Sequence, residues 1–309
     1  MLAAALVAAV GLGTAACAQG GGPRRASERR TSRDSPAGAG GGHTTWVETF
    51  VDRSRPTVPR SGAPLPSRTL VTTVYRPVGP GPFPLIVFSH GINGHPDRFT
   101  GLLSAWADAG FVVAAPAFPL TNGHAPDPSA DVGDVTNQPA DVSFVLDQVI
   151  ALGRRTGSRL HGAIDEGRVG AGGLSLGGIT TYVVAYGPTA DARVRAVEIL
   201  DGVRPTDLAL DGHVPLLIAH SDADPTIAYA SARDAFDAAR PPVWLLTLHG
   251  APHSAQWEDD PTPYDRVAVA VTRDFWQATL RQDAAAAARL VGDATVEGLS
   301  SIEVKQPPG

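Results

Sequence analysis

The 309-residue chain has almost no cysteine: Cys17 is the only one. If it is modified or removed during export, the rest of the chain holds no thiol. A disulfide, a zinc–thiolate site and a cysteine nucleophile are then all excluded. The chain is also short of positive charge. Its 25 Lys and Arg stand against 31 Asp and Glu, a formal net charge of −6. Backbone-binding proteins need clustered Lys and Arg, so nucleic acid is not an expected partner. No internal repeat and no second hydrophobic core can be found. With 43% hydrophobic residues, the length suits one large α/β domain or two small ones.

No apolar run is long enough to span a bilayer. Residues 2–12 are Ala, Val, Leu and Gly, the length of a signal-peptide core, with no Lys or Arg before them. Thr14-Ala15-Ala16-Cys17 follows and resembles a bacterial lipobox, with Thr14 where Leu is usual. Two readings stay open: lipidation of Cys17, or ordinary cleavage after Ala-x-Ala. Both imply export, to the cell envelope or beyond. Residues 20–42 are rich in Gly, Ser and Ala and carry Arg24, Arg25, Arg29, Arg30 and Arg33. Such a segment buries too little apolar surface to offset its ordering entropy. It reads as a tether near anionic headgroups or as a solvated tail. The expected division is a signal segment at 1–17, a linker at 18–44, a catalytic domain at 45–290 and a tail at 291–309.

From Trp46 the pattern changes. Residues 46–51 and 68–76 alternate apolar and polar, as half-buried antiparallel strands do. A continuous apolar run at 85–88 predicts a strand covered on both faces, and 111–115, 169–172, 194–200, 214–219 and 243–248 are read as further buried strands. Helical spacing predicts helices over 99–109, 139–152 and 179–185, and a long helix or helix pair over 263–290. Strand and helix alternate from Leu85 onward. That order predicts an α/β fold, a mostly parallel sheet with helices on both faces and an antiparallel start. The Pro- and Asp-rich stretch 122–138 falls at the carboxyl ends of the strands, where such sheets bind ligands.

Gly173-Leu174-Ser175-Leu176-Gly177-Gly178 sits between a predicted strand and a predicted helix. This is the Gly-x-Ser-x-Gly elbow in its required context. The turn strains the serine backbone, and the flanking glycines avoid backbone collisions. The helix N-terminus behind Ser175 favours developing negative charge. A serine hydroxyl needs a base oriented by a carboxylate, here in the chain order Ser, acid, His. His253, in Gly250-Ala251-Pro252-His253, lies past a strand end and is the expected base. His249 and His220 end strands and read as structural. For the acid, Asp224, Asp201 and Asp222 all remain open, with Asp224 preferred because Pro225-Thr226-Ile227 would turn its carboxylate back. The oxyanion donors expected are the amides of Leu176 and of Ile92, in Ser89-His90-Gly91-Ile92. His90 is expected to tie that loop. Phe118 and Trp257 are candidate substrate walls, with core packing the alternative.

Phe88-Ser89-His90-Gly91, the Ser175 elbow, the Asp224 loop and Gly250-Ala251-Pro252-His253 together resemble the α/β-hydrolases over about residues 69–276. The branch it looks most similar to holds bacterial cutinases and polyester hydrolases, chlorophyllases and platelet-activating-factor acetylhydrolases. That resemblance implies a serine ester hydrolase working through an acyl-enzyme, without metal or organic cofactor. Cutinase-like enzymes usually carry His-Ser-Met at the elbow and a C-terminal disulfide, both absent here. Some acetylhydrolases take their acid from the position of Asp201. Dienelactone hydrolases share the layout but use Cys where this chain has Ser175. The partners expected are a small or polymeric ester and a membrane through Cys17, with the chain a monomer. A lipid esterase, an amidase or peptidase with the same triad, and a non-catalytic binding lipoprotein are the alternatives.

Overall fold

A computed structural model describes residues 42–212 and 214–307. The predicted signal segment, Cys17 and most of the predicted linker lie outside them. Nine strands form a single sheet. In chain order these are β1 (His43–Asp52), β2 (Arg68–Pro77), β3 (Phe83–Ser89), β4 (Val112–Ala117), β5 (Ile164–Leu174), β6 (Val194–Leu200), β7 (Leu216–Ser221), β8 (Val243–Leu248) and β9 (Ser300–Lys305). Their order across the sheet is β1-β2-β4-β3-β5-β6-β7-β8-β9. β4, β3, β5, β6, β7 and β8 are mutually parallel, while β1 and β2 run antiparallel at one edge. The alternation read from Leu85 onward is therefore realised as a mostly parallel sheet with an antiparallel start.

Six α-helices accompany the sheet: α1 (Thr100–Asp108), α2 (Gln138–Arg154), α3 (Leu176–Tyr186), α4 (Ala230–Ala238), α5 (Asp265–Leu280) and α6 (Ala284–Asp293). They cover both faces. On one face Val145, Leu146 and Val149 of α2 and Tyr182 and Val184 of α3 pack on Val87, Ala171 and Val197. On the other, Trp106 of α1 and Phe275 and Trp276 of α5 pack on Phe88, Ala196 and Leu246. Strand residues alternate between the two clusters, which is why the buried strands read as largely apolar stretches rather than alternating ones.

Two elements escaped the sequence pattern. α4 is short and Ala-rich, with only Ala232, Ala235 and Phe236 buried. β9 corrects the expected domain end. The sequence predicts a tail at 291–309, yet Ser300–Lys305 pairs antiparallel with all six residues of β8. Ile302 and Val304 pack against the core beside α5, and the strand covers an edge that would otherwise expose unpaired N–H and C=O groups. The long C-terminal helical region is a pair. Gln282 takes φ +58, and Asp283 caps α6 by accepting from the Ala285 and Ala286 amides.

The stretch 122–138 is held by a buried ion cluster that sequence reasoning missed. Arg68, fully buried on β2, reaches both Asp134 oxygens at 2.8 and 2.9 Å and both Asp141 oxygens at 2.6 and 2.8 Å. A fully desolvated guanidinium needs such bidentate partners. The cluster fixes the loop leading into α2.

Candidate active site

The loops after β3, β5, β7 and β8 meet at the carboxyl ends of the parallel strands. Ser175 is the turn residue between β5 and α3, with φ +54 and ψ −115. Its strain is held by the surroundings. The Ser175 amide donates to Leu200 O at 2.9 Å. A Cβ on Gly177 would lie 2.0 Å from Ser89 O, and one on Gly173 would lie 2.3 Å from Gly177 O. Only glycine fits either place, so the elbow motif is a packing requirement.

His253 Nε2 lies 2.9 Å from Ser175 Oγ, and His253 Nδ1 lies 2.6 Å from Asp224 Oδ2. The carboxylate therefore takes the Nδ1–H, leaving Nε2 to accept from the hydroxyl. Asp224 is aimed by its own turn: its Oδ1 accepts from the Thr226 and Ile227 amides at 2.7 and 3.0 Å. His220 Nε2 sits 3.4 Å from Asp224 Oδ2 and donates to Ile227 O at 2.9 Å. Burial pushes the Asp224 carboxyl up, but His220, His253 and the Ile227 amide outweigh it. The group lies below the ordinary carboxylate range and stays ionised. Burial lowers the His220 pKa, but Asp224, Asp201 and Ile227 O outweigh it and leave it raised.

The other two carboxylates have other partners. Asp201 Oδ1 accepts from the Ser221 amide at 3.0 Å, and its Oδ2 accepts from Gln256 Nε2 at 2.7 Å and from Trp257 Nε1. It anchors the segment following His253. Burial raises its pKa to about 6, against the nearby His220 and His253. Asp222 Oδ2 pairs with His249 Nδ1 at 2.7 Å, and its Oδ1 accepts from the Gly250 amide at 2.8 Å.

His249 Nε2 in turn lies 3.1 Å from Ser301 Oγ. Ser301, His249 and Asp222 thus repeat the atom order of Ser175, His253 and Asp224. The resemblance ends there. Ser301 is a regular residue of β9 opposite Thr247, with no helix N-terminus behind it. His249 and Asp222 side chains are 39% and 37% exposed, so water weakens their pairing. The second relay ties the edge strand to the β8 loop.

The Ile92 and Leu176 amides make no hydrogen bond among the described residues. Leu176 is the first residue of α3, so its N–H is one that a helix leaves unpaired. A Cβ on Gly91 would lie 3.2 Å from Ser175 Cβ, which shows how closely the Ile92 loop approaches the nucleophile position. His90 ties that loop: its Nδ1 donates to Gly91 O at 2.7 Å, and its Nε2 accepts from the Phe118 amide at 3.0 Å. Burial lowers the His90 pKa to about 4, which keeps the ring neutral and suited to this double role.

Phe118 and Trp257 are not surface walls. Phe118 is fully buried, its ring centroid 5.0 Å from that of His90, and Trp257 is held inside by Asp201. Their rings are taken up by the core and by the anchoring of the His253 segment.

No curated protein matches the chain. The model of the dienelactone hydrolase family matches residues 70–282, more than half of the chain. The matched span covers the Ile92 loop, the Ser175 elbow, Asp224 and His253, and leaves out Cys17. The family that the missing cysteine seemed to set apart is thus the one found, with serine at the elbow. The chain belongs to the dienelactone hydrolase family and is a hydrolase of the α/β-hydrolase fold.

Proposed function

We propose that the protein is a serine carboxylic ester hydrolase. The observation that carries this is the continuous relay Ser175 Oγ, His253 Nε2, His253 Nδ1, Asp224 Oδ2, with links of 2.9 and 2.6 Å. In the proposed reaction, Ser175 Oγ attacks the acyl carbon while its proton passes to His253 Nε2. Asp224 holds the imidazole in orientation and balances its charge. The Ile92 and Leu176 amides receive the oxyanion. His253 gives its proton to the departing alcohol. Water, deprotonated by the same imidazole, releases the acid and restores Ser175. The chain's own groups complete this cycle, so the proposal needs no metal or organic cofactor.

Ester hydrolysis also fits the openness of the arrangement, since His253 is partly exposed at the strand ends. The proposal includes export and membrane attachment through Cys17, supported by the apolar run at 2–12 and the small residues before the cysteine. No helix among the described residues is long and apolar enough to cross a membrane. A fluorophosphonate probe and p-nitrophenyl esters test the activity. The wild type should be labelled and active, and Ser175→Ala should be neither. A folded wild type that is unlabelled and inactive would overturn the proposal.

A further inference from the structure

A second cluster of chemically capable side chains lies outside the relay, on the rim formed by the loops after β3 and β4. His95, Asp97 and His124 each present one ligand atom, and these atoms all lie within 4.8 Å of one another. The two histidines come from different loops. Their rings face each other with centroids 4.2 Å apart and planes tilted by 31°. His95 Nδ1 already lies 2.8 Å from Asp97 Oδ1.

The backbone under the cluster is fixed. Asn93 N donates to Thr121 O at 2.9 Å, and Gly123 N donates to Gly94 O at 2.8 Å. The His124 amide donates to Asn122 Oδ1 at 2.8 Å. The first two bonds join the two loops just before the histidines, and the third braces the His124 loop, which keeps the two rings side by side. The position is open to solvent, with the His95 and Asp97 side chains 21% and 61% exposed. An ion can therefore enter, and water can complete its coordination.

We propose that His95, Asp97 and His124 bind a divalent transition-metal ion of the zinc class. Two imidazoles and one carboxylate are a donor set that suits zinc and its neighbours and does not suit calcium or magnesium, which prefer all-oxygen sites. Zinc bonds of about 2.0–2.2 Å place tetrahedral ligand atoms about 3.4 Å apart. The His95–Asp97 pair, at 2.8 Å, is already closer than this, and the His124 ligand atom lies within 4.8 Å of both. The ion takes the place between His95 Nδ1 and Asp97 Oδ1, with the neutral His95 imidazole carrying its one proton on Nε2, and leaves at least one position for water. It cross-links the loop carrying Ile92 to the loop following β4. The inference stands on these three side chains and does not depend on the ester hydrolase reading.

Titration of the metal-free wild-type protein with zinc chloride, followed by calorimetry and by melting temperature, tests it. Binding of one equivalent and a rise in melting temperature are expected. His124→Asn and His95→Asn should each weaken binding by more than about tenfold, the scale lost even when a ligand's hydrogen-bond partner is removed. Their zinc-free melting temperatures should match the wild type, which shows that the fold is intact. Two results overturn the proposal: no binding to the wild type, or one-equivalent binding that persists in both variants. The second would place the ion among Asp201, Asp224 and His253, whose ligand atoms also cluster.

Discussion

His220 Nε2 lies 3.4 Å from Asp224 Oδ2, the same oxygen that meets His253 Nδ1. Asp224 therefore stands between two imidazoles, one beneath it in the core and one above it at the cleft. Three aspartates compete for the acid's role in the sequence, and the structure gives each its own histidine or anchor. Asp224 meets His253, Asp222 meets His249, and Asp201 holds Gln256 and Trp257.

Asp224→Asn should lower kcat on p-nitrophenyl acetate by about 1,000- to 10,000-fold, because an amide cannot hold the imidazole in its working tautomer or balance its charge. Asp201→Asn should keep kcat within about tenfold while lowering stability by about 1–3 kcal/mol, because an amide NH2 would replace Oδ2, the acceptor for Gln256 Nε2 and Trp257 Nε1. Paired kinetics and thermal melts on both variants measure this. The opposite ranking in kcat would make Asp201 the acid.

Glu198 predicts an unusual pH dependence. It sits on the central strand β6, fully buried, with neither carboxyl oxygen in a hydrogen bond and Trp276 Nε1 nearby also unpaired. Burial pushes its pKa well above the ordinary value, so the folded protein keeps the proton. The unfolded chain releases it from about pH 4.5 upward. Its stabilising contribution is thus complete below that pH and is lost as pH rises toward the folded pKa. Glu198→Gln should raise the melting temperature clearly at pH 7.5 and little at pH 4.5. An equal shift at both would show that ionisation is not the cause.

Legibility in the sequence followed the strength of local constraint. Ser175 could be read because Gly173 and Gly177 are enforced by backbone contacts. The sheet could be read because double burial makes largely apolar stretches, and the strands Val194–Leu200 and Val243–Leu248 have the bounds read from the sequence. β9 escaped because only Ile302 and Val304 pack inward, and its pairing with β8 is a tertiary fact. Phe118 and Trp257 stay open between substrate wall and core, because an aromatic beside a catalytic motif looks the same in sequence in either place, and burial puts both in the core. The role of Arg68 depends on partners brought close by folding: Asp134 and Asp141 lie 66 and 73 residues from it.

The Ser301 relay separates triad geometry from triad chemistry. Ser301→Ala and His249→Gln should leave fluorophosphonate labelling and kcat/KM within about threefold of wild type, since neither residue has an oxyanion site and the pair is half-exposed. Their effect should appear in stability, at about 1 kcal/mol or less. Mass spectrometry of the labelled wild type should find the adduct on the peptide holding Ser175. An adduct on Ser301 would mean that the edge strand carries chemistry of its own.

Two glycine-to-alanine changes should move stability in opposite directions, and the contrast tests how the elbow is held. In Gly177→Ala the new methyl would stand 2.0 Å from Ser89 O and 2.7 Å from His90 O, both backbone atoms that cannot step aside without moving β3. The cost should exceed about 3 kcal/mol, seen as a large fall in melting temperature or as insoluble expression. Gly292 lies inside α6, and a Cβ there meets nothing within 4 Å. Gly292→Ala should instead stabilise by about 0.5–1 kcal/mol, by removing unfolded-state freedom and improving helix propensity. If Gly177→Ala melts like the wild type and stays active, the turn has slack that these contacts deny. Ser175 would then owe its position to something other than the squeeze between β3 and α3.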